Sequence, residues 1–162
     1  SPNAGIDRSN IPGGKAGLFP EHPYQTAAKL RAAIHARLDV DAGVILTDSW
    51  LMPGRLGTTG VALATAGFRP IQDERGKTDL FGNPMMVTQR GIADQICAAA
   101  QLVMGERDEA TPFVIVRNAP VTLEDLELTA ADVSIDWPMC IYVQSLGDGR
   151  LQPAAAALRS TI

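Results

Sequence analysis

The stretch TQRGIADQICAAAQLVMG, residues 88–105, decides the fold class because it holds the clearest helical pattern in the chain. Its apolar residues recur at spacings of four, three and four: Ile92, Ile96, Ala99 and Val103. Thr88 stands where a helix N-cap is expected, and Gly105 follows where a C-terminal glycine is common. The pattern predicts an amphipathic helix, and the other elements are assigned around it.

Upstream of this helix the pattern predicts strands. The segment GVILTDSW, residues 43–50, is apolar and then turns polar at Thr47, Asp48 and Ser49, as a buried strand does when its tip reaches a cleft. Residues 61–68 alternate well enough to form a second strand. The charged, glycine-punctuated residues 69–84 predict a hairpin or a projecting loop.

Downstream, four shorter segments are assigned. PFVIVRNAP, residues 112–120, predicts a short buried strand, and MCIYVQSL, residues 139–146, predicts a last one. Residues 122–128, TLEDLEL, predict an acidic turn or helix, and the alanine-rich end of the chain predicts a frayed helix.

The beginning of the chain combines a loop with a second helix. Residues 1–23 are rich in Gly, Pro, Asn and Asp, which favours irregular backbone. Residues 24–40, YQTAAKLRAAIHARLDV, predict an amphipathic helix with His35 near its solvated face. Helices and strands alternate without a regular βαβ rhythm, so we expect an α+β fold, a mixed sheet with packed helices.

Composition limits the classes of function. The chain has 162 residues, 46% of them hydrophobic, and a formal net charge of −4, which suits one domain and disfavours nucleic acid or membrane surfaces as partners. No apolar run approaches the roughly 18 residues that cross a bilayer, so we expect a soluble, cytoplasmic protein. Cys97 and Cys140 lie among apolar neighbours and predict buried thiols rather than a disulfide or metal pair.

Three acidic spots are candidates for chemistry: Asp7, the pair Asp48 and Ser49, and Glu106. Carboxylate and hydroxyl oxygens are the ligands that Mg²⁺ and Mn²⁺ prefer. An aspartate at a strand end is also a common turn or cap residue, and the residues alone leave that alternative open. The common phosphate-loop, dinucleotide-binding and zinc motifs are absent from the sequence.

Five segments together resemble the coenzyme F420-0:L-glutamate ligase family, the γ-glutamyl ligases of the deazaflavin coenzyme F420 pathway. They are NAGIDRSNIPGG, GVILTDSW, ERGKTDLFGNP, VTQRGIADQICAAAQLVMGE and PFVIVRNAP, in this order. The resemblance implies that residues 1–120 correspond to the later part of that fold and lack the family's N-terminal portion. Residues 121–162 are then a C-terminal extension of the same domain.

The resemblance implies a GTP-dependent ligase with two divalent cations, Mn²⁺ or Mg²⁺, and a homodimer. Such an enzyme activates a carboxylate of the coenzyme precursor as an acyl phosphate and joins it to the amine of L-glutamate. The implied metal ligands are Asp7, Asp48, Ser49 and Glu106. The implied nucleotide contacts are Asn10, Met104, Gly105 and Arg107, within a stretch that runs to Thr111.

Basic residues would orient the acidic substrates in such a site. Arg55 and Lys77 are the predicted catalytic residues, with Arg75 as a further candidate, because a guanidinium can bind a carboxylate or phosphate through two hydrogen bonds. A solvated surface charge is the alternative for each of them.

Two departures from the family pattern leave other functions open. Met52 and Leu56 stand where the family has Arg and Asn, so two potential donors to an anion are replaced by apolar side chains. The family's N-terminal portion has no counterpart here, so we expect amide-forming activity if that portion is supplied, by the protein itself or another polypeptide. A non-catalytic relative or fragment that binds a partner is the alternative hypothesis.

Overall fold

The computed structural model describes residues 6–7 and 10–147, which form two compact units, Ser1–Asp132 and Val133–Ile162. The described part of the first unit contains six strands and two α-helices. The strands are β1 (Ile6–Asp7), β2 (Gly17–Leu18), β3 (Val44–Leu51), β4 (Thr58–Ala66), β5 (Ile71–Asp73) and β6 (Gln89–Gly91). The helices are α1 (Pro23–Leu38) and α2 (Ile92–Met104). The predicted α+β class is confirmed, and every described strand pair is antiparallel.

The centre of this unit is a hairpin of β3 and β4. Val44 pairs with Ala66 at one end and Leu51 pairs with Thr58 at the other, with a shift of register between Leu46 and Thr47. The expectation that β3 ends at Thr47, Asp48 and Ser49 is wrong. Pairing with β4 continues past these residues, so the polar segment is the second half of a strand.

Helices pack on both faces of the hairpin. On one face, Ala27 of α1 is fully buried against Val44, Ala64 and Ala66. On the other, Ile92 and Ala93 of α2 pack with Phe68, and Ile45 adjoins them. These small apolar contacts hold α1 and α2 on opposite sides of β3 and β4.

Helix α1 begins with Pro23, whose fixed φ suits the first turn, and ends at Leu38, followed by the C-cap Asp39 in a left-handed conformation with φ of 53°. The predicted helix is therefore confirmed within two residues at its C-terminal end. His35 is largely exposed, as expected, and its Nδ1 lies 3.2 Å from a carboxylate oxygen of Asp41.

Helix α2 also forms where the pattern placed it, but two details of the prediction are wrong. Gly91, not Thr88, is the N-cap, because β6 pairs with β5 up to that residue. The buried face is formed by Ile92, Ala93 and Cys97, whereas Val103 is 61% exposed. Gly105 is the C-cap as predicted, with φ of 71°.

The hairpin or projecting loop predicted over residues 69–84 is a hairpin, and it extends to Gly91 because β6 is its second strand. β5 and β6 pair from Ile71 opposite Gly91 to Asp73 opposite Gln89. At its tip, Asp79 accepts hydrogen bonds from the backbone N–H groups of Phe81 and Asn83, each at 2.8 Å.

Two predicted strands are absent from the described part of the chain. Residues 112–120 adopt neither helix nor strand, and Phe113 and Ile115 are 80% and 79% exposed. An apolar run forms a strand only with a neighbour that completes its hydrogen bonds, and this segment has none among the described residues.

In the second unit, residues predicted as the last strand form α3 (Ile141–Gly147) instead. The Gln144 N–H donates to the Cys140 carbonyl at 2.9 Å, the four-residue spacing of a helix. A short apolar run does not distinguish the two structures by itself.

Residues 122–128 form no helix, and the nearest turn of 3₁₀-helix is Ala130–Asp132. The predicted frayed helix at the chain end falls beyond residue 147, outside the described residues. Among the helices that are described, none has the length and apolar character needed to cross a membrane.

Candidate functional site

Glu106 lies just beyond the C-terminal end of α2, and two side chains bind the same oxygen of its carboxylate. The Thr58 hydroxyl, at the start of β4, donates to Oε1 of Glu106 at 3.2 Å. Nε2 of Gln101, on α2, donates to the same Oε1. No hydrogen bond to Oε2 is found within the described residues, and Glu106 is exposed, so this oxygen can accept a ligand.

The contact between Thr58 and Glu106 depends on how closely α2 approaches β4. Gly60 lies two residues from Thr58, and a Cβ built on it would lie 2.6 Å from the Cys97 carbonyl oxygen of α2. A second link is the Ala62 N–H, which donates to Oδ1 of Asp94 at 2.9 Å. The missing side chain at Gly60 therefore brings the end of α2 to the start of β4.

The register of the hairpin places Asp48 and Ser49 on different faces. Ser49 pairs with Gly60, and Asp48 pairs with Val61. Residues that pair across two strands share a face, and successive residues alternate. Ser49 therefore shares the α2 face with Gly60, while Asp48 lies on the opposite face, where its Oδ1 accepts the Ser49 N–H at 2.8 Å.

Of the two residues predicted in the opening loop, Asp7 belongs to β1, where it pairs with Gly17. The Asp7 side chain lies outside the described residues. Asn10 is exposed and has φ of 51°, a left-handed conformation that asparagine tolerates better than most residues. Its position close after β1 is a turn, as the sequence predicted.

The predicted basic residues differ in their partners. Nζ of Lys77 lies 2.8 Å from Oε2 of Glu74, whose side chain is only 14% exposed. Arg75 donates to both carboxylate oxygens of Asp73, and these hydrogen bonds lower the pKa of Asp73 to about 2.

Arg55 is different, because no ion pair to it is found in residues 10–147. It lies in the exposed turn between β3 and β4, where its N–H donates to the Met52 carbonyl at 3.3 Å. Its guanidinium is therefore the one most readily available to an incoming anion among the three predicted basic residues.

The predicted nucleotide segment forms a tight loop after α2. Met104 is the last helical residue and is half-buried, and the Gly105 N–H donates to the Gln101 carbonyl at 2.9 Å. The Arg107 N–H donates to Oε2 of Glu109 at 2.8 Å, and this bond is the main reason that the pKa of Glu109 is lowered. The Arg107 guanidinium is largely exposed and lies 3.4 Å from Asp108.

The donor chemistry suits a divalent cation, since Asp48, Ser49 and Glu106 all offer oxygen ligands. Within the described part of the chain, no three His, Cys, Asp or Glu side chains lie close enough together to hold a metal ion. A two-metal site that includes Asp7 therefore stays a prediction.

A family model described as F420-0:Gamma-glutamyl ligase matches residues 1–118. The chain belongs to this family. The resemblance that the sequence motifs indicated is thereby confirmed, over nearly the same residues. The loop after α2, the hairpin of β3 and β4, and the turn at Asn10 all lie within the residues that match the family model.

Several relatives carry the name coenzyme F420:L-glutamate ligase. The protein of Methanopyrus kandleri is 42% identical over 125 residues, which cover 77% of this chain and 50% of the relative. That of Halobacterium salinarum is 44% identical over 116 residues, covering 72% and 44%. That of Methanothermobacter thermautotrophicus is 41% identical over 118 residues, covering 73% and 47%. The chain spans about half the length of these ligases.

Sequence reasoning missed the side chains that hold Glu106. Thr58 lies in a Gly-Thr-Thr-Gly stretch that reads as part of a loop, and Gln101 falls on a helix that was read for its apolar residues. For Gln101, the only signal in the sequence was its position five residues before Glu106. Thr58 and Glu106 are 48 residues apart, so only the packing of α2 on β4 reveals their contact.

Proposed function

We propose that this protein takes part in adding L-glutamate to a carboxylate of coenzyme F420 or a related acidic substrate. Membership of the F420 γ-glutamyl ligase family carries this proposal, together with the names that its relatives bear. The substrates are then GTP, L-glutamate and a deazaflavin coenzyme precursor.

The proposed reaction has two steps. A carboxylate oxygen of the coenzyme attacks the γ-phosphorus of GTP, and the bond to the β-phosphate oxygen breaks, giving an acyl phosphate and GDP. The amine nitrogen of glutamate then attacks the acyl carbon, so that an amide forms while phosphate and a proton leave. Both steps bring anions together, which is why positive charge must be supplied.

Two divalent cations, Mn²⁺ or Mg²⁺, would supply most of this charge and neutralise the anions that react. In the proposal Asp7, Asp48, Ser49 and Glu106 hold them. Support comes from their oxygen donors and from Oε2 of Glu106, which accepts no hydrogen bond from the described part of the chain.

The remaining proposed residues bind the substrates. Asn10, Met104, Gly105 and Arg107 contact the nucleotide, in line with the compact turn and the exposed Arg107 guanidinium. Arg55 orients an acidic substrate, which its lack of an ion pair within the described residues favours. Lys77 can orient an acidic substrate only if its ammonium group leaves the ion pair with Glu74 and binds the substrate instead.

Calorimetric titration tests the proposal directly. Mn²⁺ with GTP should bind the wild-type protein, and Asp48→Ala should abolish binding. Asp41→Ala is the matched control, because Asp41 is an exposed carboxylate whose partner is His35. If both variants bind Mn²⁺ with GTP equally well, Asp48 is not part of the site. If the wild-type protein binds neither, the proposal of a GTP site in this chain is refuted.

A homodimer, or completion by the portion of the ligases that this chain does not span, is also proposed. Exposed apolar side chains such as Phe113 and Leu56 support it, because large apolar patches mark surfaces that pack against another polypeptide. Light scattering after size-exclusion chromatography measures the mass, and a monomer would refute the homodimer. A cytoplasmic location stays a prediction.

A non-catalytic binding module is the second candidate function. Met52 and Leu56 favour it, since both are exposed apolar residues, 41% and 104%, in the turn that should offer donors to an anion. Detection of a glutamyl product by mass spectrometry, with GTP and the coenzyme precursor supplied, would refute this candidate.

A further inference from the structure

Both hydrogen bonds to the Glu106 carboxylate go to the same oxygen, which leaves the two oxygens in different surroundings. Oε1 accepts from Thr58 and from Gln101, while Oε2 accepts no bond within the described residues. Glu106 is otherwise exposed, so no other contact with the described residues fixes the orientation of its side chain. A carboxylate tied at one oxygen rotates less and presents the other oxygen in a constant direction.

We propose that Thr58 and Gln101 are positioning residues, which hold Oε1 of Glu106 so that Oε2 is the oxygen presented to a divalent cation. This inference rests on the proposed function, in which Glu106 is a metal ligand. Groups that hydrogen-bond a metal-binding carboxylate orient it and tune its affinity for the metal.

The two donors come from different elements, which makes the arrangement sensitive to packing. Gln101 is on the same helix that precedes Glu106, and it alone would leave the loop free to move relative to the hairpin. Thr58 is on β4, so its hydrogen bond links the loop that carries Glu106 to the hairpin of β3 and β4. The pair therefore couples the position of the carboxylate to the α2 and β4 contact at Gly60.

The chain offers closely matched variants for a test. Thr58→Val removes the hydroxyl and keeps a branched side chain, and Thr58→Ser keeps the hydroxyl. Thr59→Val makes the same chemical change one residue further along β4, where Thr59 pairs with Trp50 on the other face. Glu106→Gln reports whether Glu106 is a metal ligand at all.

The measurement is the dissociation constant for Mn²⁺ alone, from the electron paramagnetic resonance signal of the free ion. We expect Glu106→Gln to weaken binding, Thr58→Val to weaken it by about 10-fold or more, and Thr58→Ser and Thr59→Val to stay near wild type. Thermal unfolding of all variants, followed by circular dichroism, should be similar. Rescue by serine separates positioning from a merely structural role.

The outcomes distinguish the two proposals. If Glu106→Gln weakens binding and Thr58→Val does not, Glu106 is a ligand but the positioning inference is overturned. If Glu106→Gln has no effect, or wild type binds no Mn²⁺, the metal role of Glu106 fails and the inference fails with it. In metal-free protein, the side-chain amide signals of Gln101 should also shift in Glu106→Ala and not in Thr59→Val; unchanged signals would overturn the contact itself.

Discussion

Replacing Gly60 by alanine tests how the approach of α2 to β4 is achieved. The added Cβ would lie 2.6 Å from the Cys97 carbonyl oxygen and 3.1 Å from Oε1 of Gln101. Gln101 can rotate away, but the carbonyl belongs to the helix backbone. Ordinary contact begins at 3.4 Å, so strand and helix must separate by about 0.8 Å.

The size of the effect follows from two opposing terms. Forcing one extra methyl group into a packed contact costs about 1–3 kcal/mol. Alanine also reduces the entropy of the unfolded chain, which returns about 0.4–1 kcal/mol where the backbone is compatible. The clash is larger, so we expect Gly60→Ala to lower the free energy of unfolding by about 1–2 kcal/mol.

Urea unfolding followed by circular dichroism measures this difference. For a domain of this size the midpoint should fall by about 1 M, given a slope of about 1–2 kcal/mol per molar urea. Gly13→Ala is the control, because a Cβ there meets nothing within 4 Å. If the two variants unfold at the same urea concentration, α2 does not rest on Gly60 and the reasoning is refuted.

Three further predictions concern single side chains. Phe68→Ala should lower the free energy of unfolding by about 3–5 kcal/mol because Phe68 is 2% exposed, whereas Phe81→Ala, 85% exposed, should change it by less than about 0.5 kcal/mol in urea titrations. The Asp73 carboxyl should titrate near its pKa of about 2 by NMR; because this pKa lies below the unfolded value, its contribution to stability is present above about pH 4 and disappears as the pH falls toward 2. Arg75→Ala should raise that pKa, and an unchanged titration would contradict the role of the guanidinium. Cys97 is buried, which raises the pKa of its thiol, so iodoacetamide should modify it only in urea. Peptide mass spectrometry distinguishes it from Cys140, and rapid modification of Cys97 in native protein would contradict its burial.

Local patterns determined much of the fold. The spacing of apolar residues located α1 and α2, and the punctuation by glycine and proline over residues 69–84 indicated a hairpin or a loop, which β5 and β6 form as a hairpin. Such patterns are properties of consecutive residues, so they are legible without a structure. They did not specify the buried face of α2, because this helix is apolar on most sides and only its neighbours decide which side is covered.

Pairing and packing were beyond the reach of local patterns. The polar end of GVILTDSW reads as a strand tip, yet β4 continues its ladder to Leu51. Residues 112–120 read as a buried strand, yet Phe113 is 80% exposed because no described neighbour pairs with them. A strand depends on a partner that is distant in sequence, and the residues of the strand do not by themselves indicate which segment pairs with it.

The candidate site divides in the same way. The sequence by itself determined the family, because several short motifs in a fixed order are far more specific than any one of them, and through the family it indicated Asp48, Ser49 and Glu106. Only the tertiary structure decided that Thr58 and Gln101 bind one oxygen of Glu106, and that Ser49 and Asp48 lie on different faces of the hairpin. The physical reason is the close approach at Gly60, where the absence of a side chain lets residues that are far apart in the chain meet.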